Sequence, residues 1–344
     1  MELPRKILIG DGVIQELGKF VSDLGNVKNI AIVSGASVKA RAGEQCSEAL
    51  HSCDLNDKWF LTKVADMDSV NSVQSEISKD SVDIMIGFGG GKSVDIAKTV
   101  AYNLNKPFVS VPTSASHDGI SSPFSSIRGQ NKPYSIKTRA PIGVLADTSI
   151  IAKAPRRLLA SGCGDLMAKV TAVKDWELAR DEKGEYFGNY SANLASMSAK
   201  IIMQESKSIG SGNNSSVRTV VEALISSGVA SCIAGSSRPC SGAEHLFSHA
   251  LDFIAPNKGL HGEKCGIGSI MIAKLHDIAW EQIVNTLKDV GAPTTANEIG
   301  VDANTVVKAL LTGATLRPER YTILSKVSLN EQKAFELAKS AGII

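Results

Sequence analysis

The sequence predicts two domains of different class: an α/β half with a parallel sheet, followed by an all-α half. Three observations carry this. Up to about Ala154, short β-branched runs alternate with amphipathic helical stretches, a rhythm that builds parallel strands covered by helices. From Pro155 onward the pattern is helical almost throughout, and a proline there suits the first turn of a helix. The length, 344 residues, is long for one core and comfortable for two. The domains are therefore expected at 1–154 and 155–344.

Taken in order, strands are expected at 6–9, 29–33, 59–64, 83–88 and 108–111, each a short apolar run. Helical periodicity fills the intervals 13–24, 38–51, 69–79 and 93–104. After Pro112 the chain becomes rich in Ser, Gly and Pro, with strand-like pieces at 133–138 and 142–146. Helices are then expected at 156–180, 190–205, 216–234, 242–253 and 261–279, with shorter ones beyond.

The composition narrows the partners. Basic and acidic residues nearly cancel, 37 against 35, so no electrostatic footprint points to nucleic acid or an anionic membrane. A small anionic ligand is still compatible, because it needs only a local cluster of cations. No apolar run reaches the roughly 20 residues of a membrane span. The most apolar stretch, 219–235, is interrupted by Glu222 and several serines and reads as a buried core helix. The six cysteines form no C-x-x-C pair, and Met1 to Lys6 carries no apolar leader. Reduced, mostly buried thiols in a cytoplasmic protein are expected.

The first chemical motif follows the strand at 83–88. Ile84-Met85-Ile86-Gly87-Phe88-Gly89-Gly90-Gly91-Lys92-Ser93 is a buried strand entering a triple glycine and then a helix. Glycines let backbone N–H groups approach a pyrophosphate, and a helix N-terminus supplies partial positive charge. The glycines are contiguous, unlike G-x-G-x-x-G, and the leading glycine of a Walker A loop falls at Ile86. The bland alternative is a flexible strand-to-helix turn; the strand before and the helix after it favour an anion cradle. The second strand ends in Ser34-Gly35-Ala36-Ser37-Val38-Lys39 without an acid. An acid there would hold ribose hydroxyls and reject a 2′-phosphate, so NADP is expected to be accepted beside NAD.

The helical half carries the residue types a divalent metal wants. Asp165 follows a glycine-rich break, His245 and His249 are spaced i, i+4 on one helix face, and His261 opens the next helix. One carboxylate and two imidazoles leave a coordination position open, as a catalytic zinc requires. His51 and His276 read as unrelated surface or core histidines.

Together these residues resemble the superfamily of iron-containing alcohol dehydrogenases, glycerol dehydrogenases and dehydroquinate synthases. The resemblance spans nearly the whole chain: the loop at 89–95, Val-Pro-Thr-Ser-Ala-Ser-His-Asp-Gly at 111–119, Gly-Asp at 164–165, the His245 segment and His-Gly-Glu-Lys at 261–264. The stretch 132–141 and the run Ser116-His117-Asp118-Gly119-Ile120-Ser121-Ser122 resemble most the archaeal sn-glycerol-1-phosphate dehydrogenase branch. What the resemblance implies is a dehydroquinate synthase-like fold and reversible reduction of dihydroxyacetone phosphate to sn-glycerol-1-phosphate, the backbone of archaeal ether phospholipids. It implies one Zn²⁺ per chain held by Asp165, His245 and His261, which also form the catalytic centre. It implies NAD or NADP held by Gly91, Lys92, Ser93, Val94, Asp95, Thr113, Ser114, Ala115, Ser116 and Ser122. Asp118, Asp165 and His249 are implied to touch substrate, in a homo-oligomer. The iron-dependent branch carries a histidine four residues after the aspartate, where this chain has Lys169; three-ligand zinc fits better than four-ligand iron. The alternative activity is a dehydrogenase of glycerol or another polyol lacking phosphate. Arg128, Lys132, Lys137 and Arg139 crowd one segment and are candidate phosphate partners.

Overall fold

The computed structural model describes every residue except 130–132 and 213, and the side chains of 133, 134 and 214 also lie outside the description. Lys132 is therefore beyond it. The chain forms two compact units. The first comprises residues 1–115 and 119–155, the second 116–118 and 156–344.

The first unit is built on strands β1 (Lys6–Gly10), β2 (Asn29–Ser34), β3 (Asn56–Leu61), β4 (Ile84–Gly89), β5 (Phe108–Pro112), β6 (Phe124–Arg128), β7 (Pro133–Lys137) and β8 (Gly143–Asp147). Its helices are α1 (Leu17–Ser22), α2 (Ala36–His51), α3 (Met67–Ile77), α4 (Gly91–Asn103) and α5 (Thr148–Ala152). Six strands form one sheet in the order β1-β8-β5-β4-β2-β3, every neighbouring pair parallel. In β2 the alternate residues Ile30 and Ile32 join one apolar cluster with Leu17, Phe20 and Leu50, while Ala31 and Val33 join another with Val70, Val94 and Val100. A strand buried on both faces must be apolar at every position, which is why β2 and β4 read so clearly.

Two strands depart from expectation. β3 runs over Asn56–Leu61 rather than 59–64, because it is an edge strand whose polar leading residues pair in register with β2, Asn29 opposite Asn56. β6 has no strong apolar signal and is fixed by its antiparallel pairing with β7. From β2 the chain runs outward to β3 and returns on the other side of β2 as β4. The carboxyl ends of β2 and β4 thus flank a topological switch point, where nucleotides bind in open α/β sheets.

The second unit holds α6 (Arg156–Lys183), α7 (Asn189–Ser211), α8 (Asn214–Ala234), α9 (Ala243–Ile254), α10 (His261–Leu275), α11 (Trp280–Val290), α12 (Ala303–Leu316), α13 (Ile323–Val327) and α14 (Glu331–Ser340). Helix α10 packs against α6 and α9, α9 against α12, and α7 against α8. One stretch, Ser215–Ala234, is long and apolar enough to cross a membrane, with a mean hydropathy of 1.4, but 61% of that window is buried inside the protein.

Candidate functional site

The glycine loop closes tightly on the helix that follows it. A Cβ on Gly87 would stand 2.9 Å from Val94 Cα, and one on Gly89 would stand 2.7 Å from Ser93 Oγ. Gly89 also sits at φ +155°, a conformation that L side chains rarely adopt. Gly90 precedes the first turn of α4, and among the described residues no side chain caps that helix. The side chains of Val94 and Asp95 are buried; Asp95 accepts from Ser126 N at 3.2 Å and lies 3.6 Å from Lys98 Nζ. What α4 can offer an anion is its backbone N–H groups and the exposed Lys92. Beside it, the buried Ser114 Oγ has no hydrogen-bond partner among the described residues and lies 3.1 Å from where a Gly90 Cβ would stand. A buried hydroxyl without a partner next to an uncapped helix fits a dinucleotide phosphate. Thr113 is tied to the loop, its N–H donating to Gly89 O at 2.9 Å. Ala115 is buried, and Ser122 exchanges bonds with the backbone of Phe124. At the end of β2, Ser34 is fully buried, Gly35 is extended with its Cβ position in ordinary contact with Thr62 O at 3.9 Å, and Lys39 lies over the Trp59 ring.

In the second unit the glycines before Asp165 do not break the helix. Gly162 and Gly164 lie buried inside the continuous α6, and at Gly164 the missing side chain serves close packing. A Cβ on Gly164 would stand 2.2 Å from Gly262 O, so α6 and α10 touch backbone to backbone. That crossing brings Asp165 to His261, the first residue of α10. The Asp165 Oδ1 atom is 3.4 Å from His245 Nε2 and 3.9 Å from His261 Nε2. Cys265 Sγ, one turn along α10, is 3.6 Å from His261 Nε2. One donor atom from each of these four residues lies within 4.8 Å of the others. Donors about 2.0–2.1 Å from a tetrahedral zinc stand about 3.3 Å apart, close to the 3.4 and 3.9 Å that separate Asp165 Oδ1 from the two imidazole nitrogens. His249 is one turn beyond His245 with ring centroids 6.3 Å apart.

Lys169 stands one turn beyond Asp165 on α6 and bridges two carboxylates. It is fully buried, with Nζ 3.0 Å from Asp165 Oδ1 and 2.8 Å from Asp118 Oδ2. Asp118 in turn donates its N–H to Asp165 Oδ2 at 2.9 Å, and Ser116 O accepts from Ser161 Oγ at 3.3 Å. Burial opposes charge on Asp165, but Lys169 and His245 outweigh it and hold the carboxyl well below the usual carboxylate range. Burial likewise opposes charge on Lys169, which Asp118 and Asp165 overcome, keeping it cationic. Burial and the neighbouring His245 hold His261 neutral, the form that ligates metal. Burial, then His245, Lys264, Arg317 and Arg320, push His249 down to about 3.

The structure thus brings together Asp118, Asp165, His245, His249 and His261. Besides His245, the cations acting on His249 are Lys264, Arg317 and Arg320; the sequence marks only Lys264, as part of the segment at 261–264, and gives none of the three a role. Arg139 instead bonds Asn105 Oδ1 at 2.7 Å, over the Tyr102 ring. Cys265 and Glu244 were also missed: the i, i+4 spacing of Cys265 from His261 was an available signal, whereas nothing local marks Glu244.

Residues 8–155 match the iron-containing alcohol dehydrogenase family. Glycerol-1-phosphate dehydrogenase [NAD(P)+] of Nitrosopumilus maritimus is 54% identical over 344 residues, covering 100% of this chain and 97% of its own. The chain belongs to the glycerol-1-phosphate dehydrogenase family. Two further members, from Cenarchaeum symbiosum and Thermococcus sibiricus, are 54% and 47% identical over 100% of this chain and 96% and 98% of theirs. The fold extends beyond the glycerol-1-phosphate dehydrogenases. Glycerol dehydrogenase from Schizosaccharomyces pombe superposes with a TM-score of 0.82 at 21% identity, over 99% of this chain and 89% of that one.

Proposed function

We propose that this chain reduces dihydroxyacetone phosphate reversibly to sn-glycerol-1-phosphate with NADH or NADPH, supplying the glycerophosphate backbone of archaeal ether phospholipids. The observation that carries the reading is the convergence of Asp165, His245 and His261, with donor atoms within 4.8 Å of one another and Lys169 beside them. In this reading those three residues hold one zinc per chain, and residues 155–344 form the metal- and substrate-binding domain. Residues 1–154 form the nucleotide-binding domain, with Gly91 to Asp95, Thr113 to Ser116 and Ser122 around the cofactor.

Zinc held there would supply Lewis acidity toward the substrate oxygen, and the nicotinamide the hydride. The protein's own residues orient and select. Asp118, fixed by Lys169 and by Ser227 Oγ at 3.3 Å, presents a carboxylate to the substrate hydroxyl. His249, in a field of Lys264, Arg317 and Arg320, meets the phosphate. The same reading takes the protein as a cytoplasmic homo-oligomer that handles small molecules rather than nucleic acid. Its apolar edge strand β1, where Ile7 is 42% exposed, suits pairing with a second copy.

The test combines zinc content with NADH oxidation over a panel of small ketones. One zinc per chain and strong preference for the phosphorylated ketone are expected. His245→Ala should lose zinc and activity while still binding cofactor. Equal kcat/KM for dihydroxyacetone and its phosphate would favour a polyol dehydrogenase instead.

A further inference from the structure

Glu244 precedes His245 in the first turn of α9 and is completely buried. Three donors converge on its carboxylate. Oε1 accepts from Gly242 N at 2.6 Å and lies 2.7 Å from His245 Nδ1, and Oε2 accepts from Thr171 Oγ1 at 2.7 Å. We propose that Glu244 is a positioning residue for the metal, fixing His245 in the tautomer that presents Nε2 to Asp165. The inference rests on the metal reading above and goes beyond it, to a residue outside the ligand set.

An ionised carboxylate only accepts, so the ring nitrogen facing it must carry the proton. With zinc bound, Nδ1 donates to Glu244 and the Nε2 lone pair, 3.4 Å from the fellow ligand Asp165 Oδ1, is left for the metal. The carboxylate cannot swing to relax this arrangement. Its two oxygens are tied to different helices, α9 through Gly242 and α6 through Thr171. Helix α9 is itself pinned, since Asp175 Oδ2 accepts from Ala243 N at 2.7 Å. A purely structural brace would be complete with the bonds to Gly242 and Thr171; the third bond reaches only the imidazole. Partners of this kind in the shell behind metal ligands typically change affinity about 10- to 100-fold when altered.

Glu244→Gln retains size and, with its oxygen on Gly242 N and its NH2 on Thr171 Oγ1, keeps both contacts, but it offers Nδ1 only an uncharged acceptor, so the proton is held there more weakly and the imidazole is a poorer ligand. Metal-stripped full-length protein is titrated with Zn²⁺ against a chromophoric competitor. Parent, Glu244→Gln and Thr171→Val are compared, with His245→Ala as reference. Glu244→Gln should bind zinc about 10- to 100-fold more weakly, and Thr171→Val within about threefold of the parent. Affinity of Glu244→Gln within threefold of the parent overturns the proposal; a parent that binds no zinc overturns the metal reading instead. A second measurement needs no variant. Long-range ¹H–¹⁵N correlation in the zinc-loaded parent should show His245 protonated at Nδ1 and coordinated through Nε2. Coordination through Nδ1 overturns the proposal even if the variant fails to fold.

Discussion

Gly164 and Gly262 meet where two helices cross, and a methyl on Gly164 would stand 2.2 Å from the carbonyl oxygen of Gly262. Alanine favours a helix interior by about 1 kcal/mol over glycine, but overpacking typically costs about 1–3 kcal/mol. Gly164→Ala must therefore widen the crossing and draw Asp165 away from His261. A lower melting temperature together with at least tenfold weaker zinc binding is expected. Unchanged calorimetry and unchanged zinc competition would show that the crossing does not set the site.

Removal of Lys169 leaves two carboxylates without their cation. Breaking a buried pair typically costs about 3–5 kcal/mol, so Lys169→Met should be strongly destabilised in urea when the protein is metal-free. Zinc at Asp165 restores part of the missing positive charge, so the deficit should shrink in the loaded protein. An equal deficit with and without zinc would count against the proximity of metal and lysine.

Cofactor choice should respond to Gly35. Its extended backbone, with nothing closer to the Cβ position than Thr62 O at 3.9 Å, tolerates a side chain, and an aspartate there would repel a 2′-phosphate. Gly35→Asp is expected to lower kcat/KM for NADPH about tenfold relative to NADH, equivalent to roughly 1.4 kcal/mol. Steady-state kinetics decide it, and a parent enzyme strictly specific for NAD would remove the premise.

For the substrate, His249→Ala should raise KM for dihydroxyacetone phosphate far more than for dihydroxyacetone. A charge-assisted bond to phosphate is worth roughly 1.5–3 kcal/mol, or about ten- to a hundredfold. Equal effects on both ketones would detach His249 from the phosphate.

The same histidine makes an acid-stability prediction. Unfolded, it takes up a proton near pH 6.5; folded, burial and neighbouring cations hold it neutral down to about 3. As pH falls below about 6.5 only the unfolded chain gains that proton, so the stability present above that pH drains away across this window. The melting temperature of metal-free protein should drop between about pH 7 and pH 5, and less steeply in His249→Asn. Parallel slopes would place the proton uptake elsewhere.

Some of this was legible before any coordinates. The strands β2 and β4 announce themselves because both faces are buried. The edge strand β3 does not, since its polar first half is chosen by pairing with β2. Asp165, His245 and His261 stand out by residue type. Their supports do not: Thr171 and Glu244, or Lys264 and Arg317, are distant in sequence and ordinary in type until helix packing joins them. The glycines before Asp165 read as a helix break, because close backbone approach and helix termination leave the same residue behind.

Asp165 comes from α6, far ahead in the chain of the consecutive helices α9 and α10 that carry His245 and His261, so their convergence is a matter of timing as well as geometry. Contacts so distant carry a high closure entropy and form late in folding. An ion gripped by them would stabilise the finished helical unit while leaving the barrier on the way in nearly untouched. Chelation should then leave the refolding rate almost unchanged and accelerate unfolding, making the metal a brake on loss of the native state rather than a template for reaching it.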